Sequence, residues 1–253
     1  MATSEERLQH VLTHNVREIK PHPGNLRELL AKKKRLRIKF GVDVTNPHLH
    51  LGHAVNLWKL REFQEAGHTV IFLIGDFTSR IGDPTGRSTV RTERSIKEIE
   101  RDAKEYLAQA ERILITDDKK VFEVRRNSEW YGSMKLDEFF KLCGKVTHQR
   151  LIEREMFQKR INDLQPIYMH EMLYPVLQGY DSVTLESDLT VVGEDQLFNE
   201  LLGRHYQEAF GQSPQLVMTT VITPGLNGGE KMSKSLGNFV GISETADEQF
   251  GKL

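Results

Sequence analysis

His50, Leu51, Gly52 and His53 stand where an amphipathic pattern begins, just after a strand-like run. Two imidazoles three residues apart at a helix N-terminus can face one anion together. The helix end adds positive potential and N–H groups of its own. Gly52 gives a patch of bare backbone on which a flat ring could lie. The same spacing also fits a pair of surface histidines or two metal ligands, although no cysteine or carboxylate stands beside them as a third. Far downstream, Lys231-Met232-Ser233-Lys234-Ser235 sits among Gly225, Gly228, Gly229 and Gly237. Two lysines on a glycine-bracketed loop form a cationic clamp suited to a leaving pyrophosphate, and an exposed basic loop has the same composition. Tyr174, Gln178 and Asp181 fall at i, i+4 and i+7, one stripe of a helix. Between Leu173, Val176 and Leu177, three polar groups on one stripe suit a pocket wall. Asp83 lies in a glycine-bounded turn, where a carboxylate can be presented to an ammonium.

The elements that must position these groups are legible in outline. A helix is expected from Glu5 to about Ile19, broken by Pro21 and Pro23, with a second short helix to Lys33. Residues 35–42 alternate as a strand, with Leu36, Ile38 and Phe40 on one face. A helix over 50–66 places Leu51, Val55, Trp58, Leu60 and Phe63 near its buried side. The apolar run 69–75 reads as a central parallel strand covered on both faces. Strand, helix and strand in this order suggest a right-handed βαβ unit. Residues 75–94 form a loop rich in Gly, Ser, Thr and Pro, and 95–115 a long charged helix. A second half follows, with strands at 189–192 and 216–222 around a helix over 195–210. The expected class is α/β, a Rossmann-like doubly wound parallel sheet. Residues 1–34 form an N-terminal helical segment, 117–166 a helical connective insertion, and 225–238 the lysine loop.

Composition narrows the partners. With 35 Lys and Arg against 36 Asp and Glu, the net charge is -1, so no overall field draws nucleic acid. Lys32, Lys33, Lys34, Arg35 and Arg37 could form a local RNA patch, or simply a solvated helix end followed by a strand. Cys143 is the only cysteine, which excludes an intrachain disulfide and fits a reducing compartment. The polar N-terminus lacks a signal peptide's apolar stretch, and no run approaches the roughly 20 apolar residues of a membrane helix. A cytoplasmic protein without membrane attachment is expected.

Taken together, HxGH near the first strand and KMSKS after the last are the paired signatures of class I aminoacyl-tRNA synthetases, and the chain resembles that family. From about Leu36 to Leu253 it is similar in particular to bacterial tyrosyl-tRNA synthetases. The likeness is carried by Gly75-Asp76-Phe77-Thr78, by residues 81–87 (Ile-Gly-Asp-Pro-Thr-Gly-Arg), by 174–181 (Tyr-Pro-Val-Leu-Gln-Gly-Tyr-Asp), by Asp195-Gln196 and by the KMSKS loop. The resemblance implies a HUP-type catalytic domain over 35–253. Asp83, Tyr174 and Gln178 would hold the α-ammonium of L-tyrosine. Asp181 would accept from the phenol, and Gln196 would orient the carboxylate. Gly193 and Asp195 would meet the ribose, with Gly41, Asp43, Gly52, His53, Met232, Ser233 and Ser235 around the nucleotide. Thr45, His50, Arg87, Arg91, Lys231 and Lys234 would bind the phosphates as they separate. ATP would enter with Mg²⁺, and no protein-bound metal is expected. tRNA(Tyr) would be the acceptor and a homodimer, joined through the central connection, the assembly.

The chain departs from the family pattern in three ways. Lys39 stands where some tyrosyl enzymes carry a tyrosine that helps read the phenol. Val192-Gly193-Glu194-Asp195-Gln196 resembles the sister tryptophanyl enzymes at the ribose contacts. Full tyrosyl enzymes continue into a helical anticodon-binding domain. No such domain is expected within 253 residues, so adenylate formation should outlast tRNA charging. A different adenylate-forming enzyme of the same superfamily and a non-catalytic RNA-binding relative share parts of this pattern.

Overall fold

The computed structural model describes residues 4–44, 48–83, 94–233 and 236–253. Its first half runs α1 (Ser4–Thr13), β1 (Val16–Lys20), α2 (Pro23–Lys32), β2 (Arg37–Val42), α3 (Leu51–Glu65), β3 (Thr69–Ile74), α4 (Thr78–Ile81), α5 (Ile96–Ala110) and β4 (Phe122–Arg126). Short helices follow: α6 (Ser128–Tyr131), α7 (Leu136–Cys143), α8 (His148–Ile152) and α9 (Glu155–Asn162). Then come α10 (Met169–Leu185), β5 (Leu189–Gly193), a 3₁₀ turn (Glu194–Gln196), α11 (Leu197–Ala209), β6 (Leu216–Thr220) and α12 (Ala246–Lys252).

The six strands form one sheet in the order β1-β6-β5-β2-β3-β4. All neighbours are parallel except β1, which runs antiparallel to β6. From β2 the chain winds outward through β3 to β4, then returns to the other side of β2 for β5 and β6. That reversal is a topological switch point, and the crevice beyond the carboxyl ends of β2 and β5 is where such sheets bind ligands. β3 is buried at every position, as its continuous apolar run requires. β2 is covered on both faces: Leu36, Ile38 and Phe40 enter the main core, while Lys39 on the opposite face is 1% exposed.

Three local readings differ from the structure. The first helix stops at Thr13, because Asn15 takes a left-handed conformation (φ 58°) and the next five residues pair with β6. Val16–Lys20 forms an antiparallel edge with a register shift between Val16 and Glu18, a long-range pairing invisible to local pattern. In α3, Ala54, Leu57, Leu60 and Phe63 turn inward and Trp58 is exposed. The i, i+3 stripe follows the 100° step per residue more closely than the expected set did. The tail beyond Gly225 includes α12, capped by Thr245 with Glu248 reaching back. The stretch 117–166 supplies β4 to the sheet edge as well as α6 to α9. The basic run at 32–37 is a helix end entering a strand, with Lys33 on Asp188 (2.7 Å) and Arg37 on Glu123 (3.2 Å). Among the described residues no helix is long and apolar enough to cross a membrane.

Helices α10 and α11 cross closely because glycines face the contact. A Cβ on Gly179 would lie 2.7 Å from the Tyr206 ring, and one on Gly203 would lie 2.7 Å from Ser182 Oγ. Tyr206 is fully buried and its hydroxyl donates to Leu142 O at 2.8 Å, so its ring has little room to yield. Gly179→Ala should therefore destabilise the fold by about 1–3 kcal/mol through overpacking. Chemical denaturation measures this, and an unchanged midpoint would show that the helices separate freely.

Candidate active site

A cavity of about 420 Å³ opens at the switch point, a volume in the range of small-molecule sites. Every sequence-predicted site residue that the structure describes lines it, from Lys39 and Gly41 on β2 and Asp43 just beyond it to Lys231, Met232 and Ser233 downstream. Thr45, Arg87, Arg91, Lys234 and Ser235 fall outside the described residues.

The histidine pair forms the N-terminus of α3. His50 caps it, with Nδ1 accepting from Gly52 N–H at 3.1 Å, while His53 Nδ1 accepts from His50 N–H at 3.2 Å. With both Nδ1 atoms accepting, the neutral rings carry their protons on Nε2. Part of the expected free helix end is thus already satisfied by the imidazoles themselves. Gly52 is required for more than a flat surface, since a Cβ there would come within 2.9 Å of the His50 ring.

The two signature segments meet through the backbone. Leu51 N–H donates to Val240 O (3.0 Å) and Ile242 N–H to Leu49 O (2.9 Å), with His50 and Gly241 bridged between them. Upstream of the lysines, Pro224 and Lys231 form a second bridge, and Gly225 N–H donates to Glu230 O at 2.8 Å. Asn238 pins the turn by accepting from Ser233 N–H at 2.8 Å, and Gly225 must lack a Cβ because Asn238 Nδ2 would lie 2.1 Å away. Lys231 approaches Asp195 at 3.4 Å on the exposed side of the cavity.

The α10 stripe forms the inner wall. Tyr174 OH donates to Asp43 Oδ2 (3.0 Å), and Thr78 Oγ1 donates to Asp43 Oδ1 (2.7 Å). Gly75 makes that contact possible, since a Cβ there would fall 2.3 Å from Asp43 Oδ1. Burial, then the charges of Asp43 and Asp83, hold the Tyr174 phenol well above its usual range, so it stays a neutral donor. Asp83 accepts from Gln196 Nε2 at 2.8 Å and lies 3.5 Å from Arg154.

Asp181 occupies the buried end. Trp130 Nε1 donates to it at 3.0 Å and Asn127 Nδ2 at 3.5 Å. Burial pushes its carboxyl up to about 7, against the pull of the Lys39 charge and of its hydrogen bonds. The Lys39 ammonium is held by Glu200 at 2.8 Å and by Ser182 Oγ at 2.7 Å. Gln178 donates to Glu200 (2.8 Å) and accepts from Asn199 (2.8 Å), which also donates to Gln196 at 3.1 Å. Glu200, Asn127 and Trp130 were not singled out from sequence, and Thr78 was named only within the segment 75–78, without a role. Gln196, Asn199 and Glu200 at i, i+3 and i+4 carried a helical stripe that could have revealed the first. Asn127 and Trp130 sit in a stretch without legible pattern.

A family model described as tRNA synthetases class I (W and Y) matches residues 31–253. The tyrosine–tRNA ligase of Coxiella burnetii is 47% identical over 253 residues, covering all of this chain and 62% of that protein. That of Oleidesulfovibrio alaskensis is 51% identical over 228 residues, covering 90% of this chain and 57% of the relative. The chain thus spans about three fifths of the length of these curated relatives. The crystal structure of tyrosyl-tRNA synthetase from Archaeoglobus fulgidus complexed with L-tyrosine superposes with a TM-score of 0.77 at 25% identity, covering 98% of this chain and 73% of that one. With its doubly wound sheet, its two stitched signature segments and a match over almost its whole length, the chain belongs to the class I tRNA synthetases of the tryptophan and tyrosine branch.

Proposed function

We propose that this chain activates L-tyrosine with ATP and passes the tyrosyl group to the 3′ end of tRNA(Tyr). The observation that carries the reading is one cavity with two unlike ends. Its buried end holds a carboxylate, Asp181, that can accept from a phenol. Its open end holds the cap of α3 and the lysine loop, which can grip phosphates. A tryptophan side chain would bring an indole N–H to the same carboxylate. The curated relatives named as tyrosine–tRNA ligases, at 47% and 51% identity, support tyrosine.

In the first step an oxygen of the tyrosine carboxylate attacks the α-phosphorus of ATP in line. The bond from that phosphorus to the bridging oxygen breaks, and pyrophosphate leaves with the electron pair and Mg²⁺. The carboxylate is ionised at neutral pH, so no general base is needed. Catalysis is positioning and charge stabilisation. Asp83, Tyr174 and Gln178 would fix the ammonium, and Gln196 the carboxylate. Lys39 is already engaged by Glu200 and Ser182, which leaves the phenol to Asp181. Nε2–H of His50 would donate to charge growing on the phosphates, since Nδ1 serves the helix cap. Thr45, Arg87, Arg91, Lys231 and Lys234 would share that charge. Cys143 has no part, and burial pushes its thiol up, away from reactivity. We further infer a homodimer through 117–166 and the start of α10. Leu136, Phe140, Leu164 and Met169 there are largely exposed apolar side chains. A tRNA partner implies work in the cytoplasm.

Exchange of pyrophosphate into ATP, run with each standard amino acid, should depend on tyrosine. Support by tryptophan alone would reverse the assignment. His50→Ala should slow single-turnover adenylate formation by about 10²–10³ with little change in tyrosine affinity. A loss of affinity at unchanged rate would refute the role given to Nε2. Asp181 gives a pH test. Its carboxyl is raised to about 7, so below that pH it carries a proton and is a weaker acceptor. Tyrosine KM should fall as pH rises through about 7, by about tenfold, the difference between a charge-assisted and a neutral hydrogen bond. Asp181→Asn should flatten the profile. A flat profile in the unsubstituted chain would place the phenol elsewhere.

A further inference from the structure

Two histidines and a carboxylate converge away from the cavity, on the far side of α3. His10 and His14 stand one turn apart on α1, and their rings stack with centroids 4.3 Å apart and planes 20° from parallel. His14 N–H donates to His10 O at 2.8 Å, so the helical turn that aligns the two side chains is closed even though α1 ends at Thr13. Glu62, in the last turn of α3, brings Oε1 to 3.5 Å from His10 Nε2 and 3.7 Å from His14 Nδ1. One ligand atom from each of the three lies within 4.8 Å of the others. Among the described residues this is the one group of its kind, and no part of the reaction uses it.

We propose that His10, His14 and Glu62 form a binding site for a divalent transition ion of the zinc class, tying α1 to α3. Donors about 2.0–2.1 Å from a tetrahedral ion stand about 3.3–3.4 Å apart. The two contacts to Glu62, at 3.5 and 3.7 Å, are therefore close to the required spacing before any ion enters, and all three ligand atoms already lie within 4.8 Å of one another. Two imidazoles and one carboxylate suit zinc, cobalt, nickel or copper and are poor partners for magnesium or calcium. The carboxylate is braced from behind. Lys59, 1% exposed, donates to Glu62 Oε2 at 2.6 Å and to Val11 O at 3.1 Å. One oxygen is thereby anchored to both helices, and the other is aimed at the histidines. Such bracing of a ligating carboxylate is what fixes its geometry in built metal sites. With three protein ligands and both histidines about half exposed, water completes the coordination. The site lies roughly 14 Å along α3 from His53, at 1.5 Å per residue, so it does not belong to the phosphate end of the cavity.

Titrating the metal-free chain with Zn²⁺ by calorimetry, and with Co²⁺ by visible absorption, tests the site without any measurement of activity. One ion per chain is expected, with a rise in thermal midpoint as α1 is fastened down. His10→Ala and His14→Ala should each weaken binding by more than about tenfold and abolish the rise. Both side chains face solvent, so the metal-free midpoints of these variants should match that of the parent, which keeps the comparison independent of folding. Glu62→Gln, which leaves an oxygen for Lys59, should weaken binding in the same way. No stoichiometric uptake, or uptake untouched by the two histidine substitutions, overturns the proposal. Uptake with no rise in midpoint overturns the tie between the helices.

Discussion

A positive charge is carried into the centre of this protein, and much of the site is organised around keeping it there. Lys39 projects from β2, the strand at which the sheet reverses, into a space almost sealed from water. Taking an ammonium out of water costs several kcal/mol unless partners replace its hydration. Glu200 from α11 and Ser182 from α10 do so, which fixes both helices relative to β2. Glu200 needs partners in turn, and Gln178 and Gln215 donate to its two oxygens at 2.8 and 2.9 Å. From Gln178 the bonds continue through Asn199 and Gln196 to Asp83. The amide groups that would meet an amino acid are therefore oriented by a chain of bonds that starts at a buried ion pair. Such a network orients its members through their shared bonds, and Asn199 Oδ1 is the one buried atom of these links left without a hydrogen-bond partner among the described residues.

The same cavity holds carboxylates in unlike surroundings. Asp181 is buried, and burial outweighs the help of Lys39, Tyr131, Trp130 and Asn127, so its charge is precarious near neutral pH. Asp83 has the Gln196 amide and the Arg154 guanidinium beside it, and Asp195 stands at the open side against Lys231. A phenol delivered to Asp181 would add a donor at the buried end of the cavity. An ammonium delivered near Asp83 meets a carboxylate already aimed by its neighbours. Position along the gradient from buried to open thus separates what each acid can recognise, although the side chains are chemically the same.

How much of this was legible in sequence follows from the range of the interactions. The βαβ halves, the burial of β3 and the single stripe of Tyr174, Gln178 and Asp181 are consequences of local periodicity, and all appear in the fold. β1 was read as helix because its identity depends on an edge of β6 two hundred residues away, not on its own residues. Trp58 shares helical spacing with Leu51 and Val55, but the buried stripe of α3 runs through Ala54, Leu57, Leu60 and Phe63 and leaves it exposed. Asn127 and Trp130 could not be found, since nothing in Phe122–Tyr131 announces that it passes behind Asp181. The glycines were partly readable. Their presence around the lysine loop suggested bending, but the reasons for Gly52, Gly75 and Gly225 are close approaches to His50, Asp43 and Asn238.

The placement of the two signature segments shows why an α/β sheet can assemble chemistry from residues so far apart in sequence. His50 lies beyond β2 and Lys231 beyond β6, on the same edge of the sheet because these strands are parallel. The sheet alone would leave the two segments facing across the crevice. The backbone bonds joining 49–51 to 240–242 close that distance, and the Phe239 ring settles 6.1 Å from His50. The bridge from Pro224 to Lys231 holds the loop from its other side. The downstream end of the lysine loop is thus tied to the start of α3 and the upstream end to the segment leaving β6, while its glycines at 228 and 237 take the positive φ angles that the tight turns demand. Lys231 is held at one of those ties, beside Asp195 at 3.4 Å. His50, itself locked by capping α3, is the fixed point of the other signature segment.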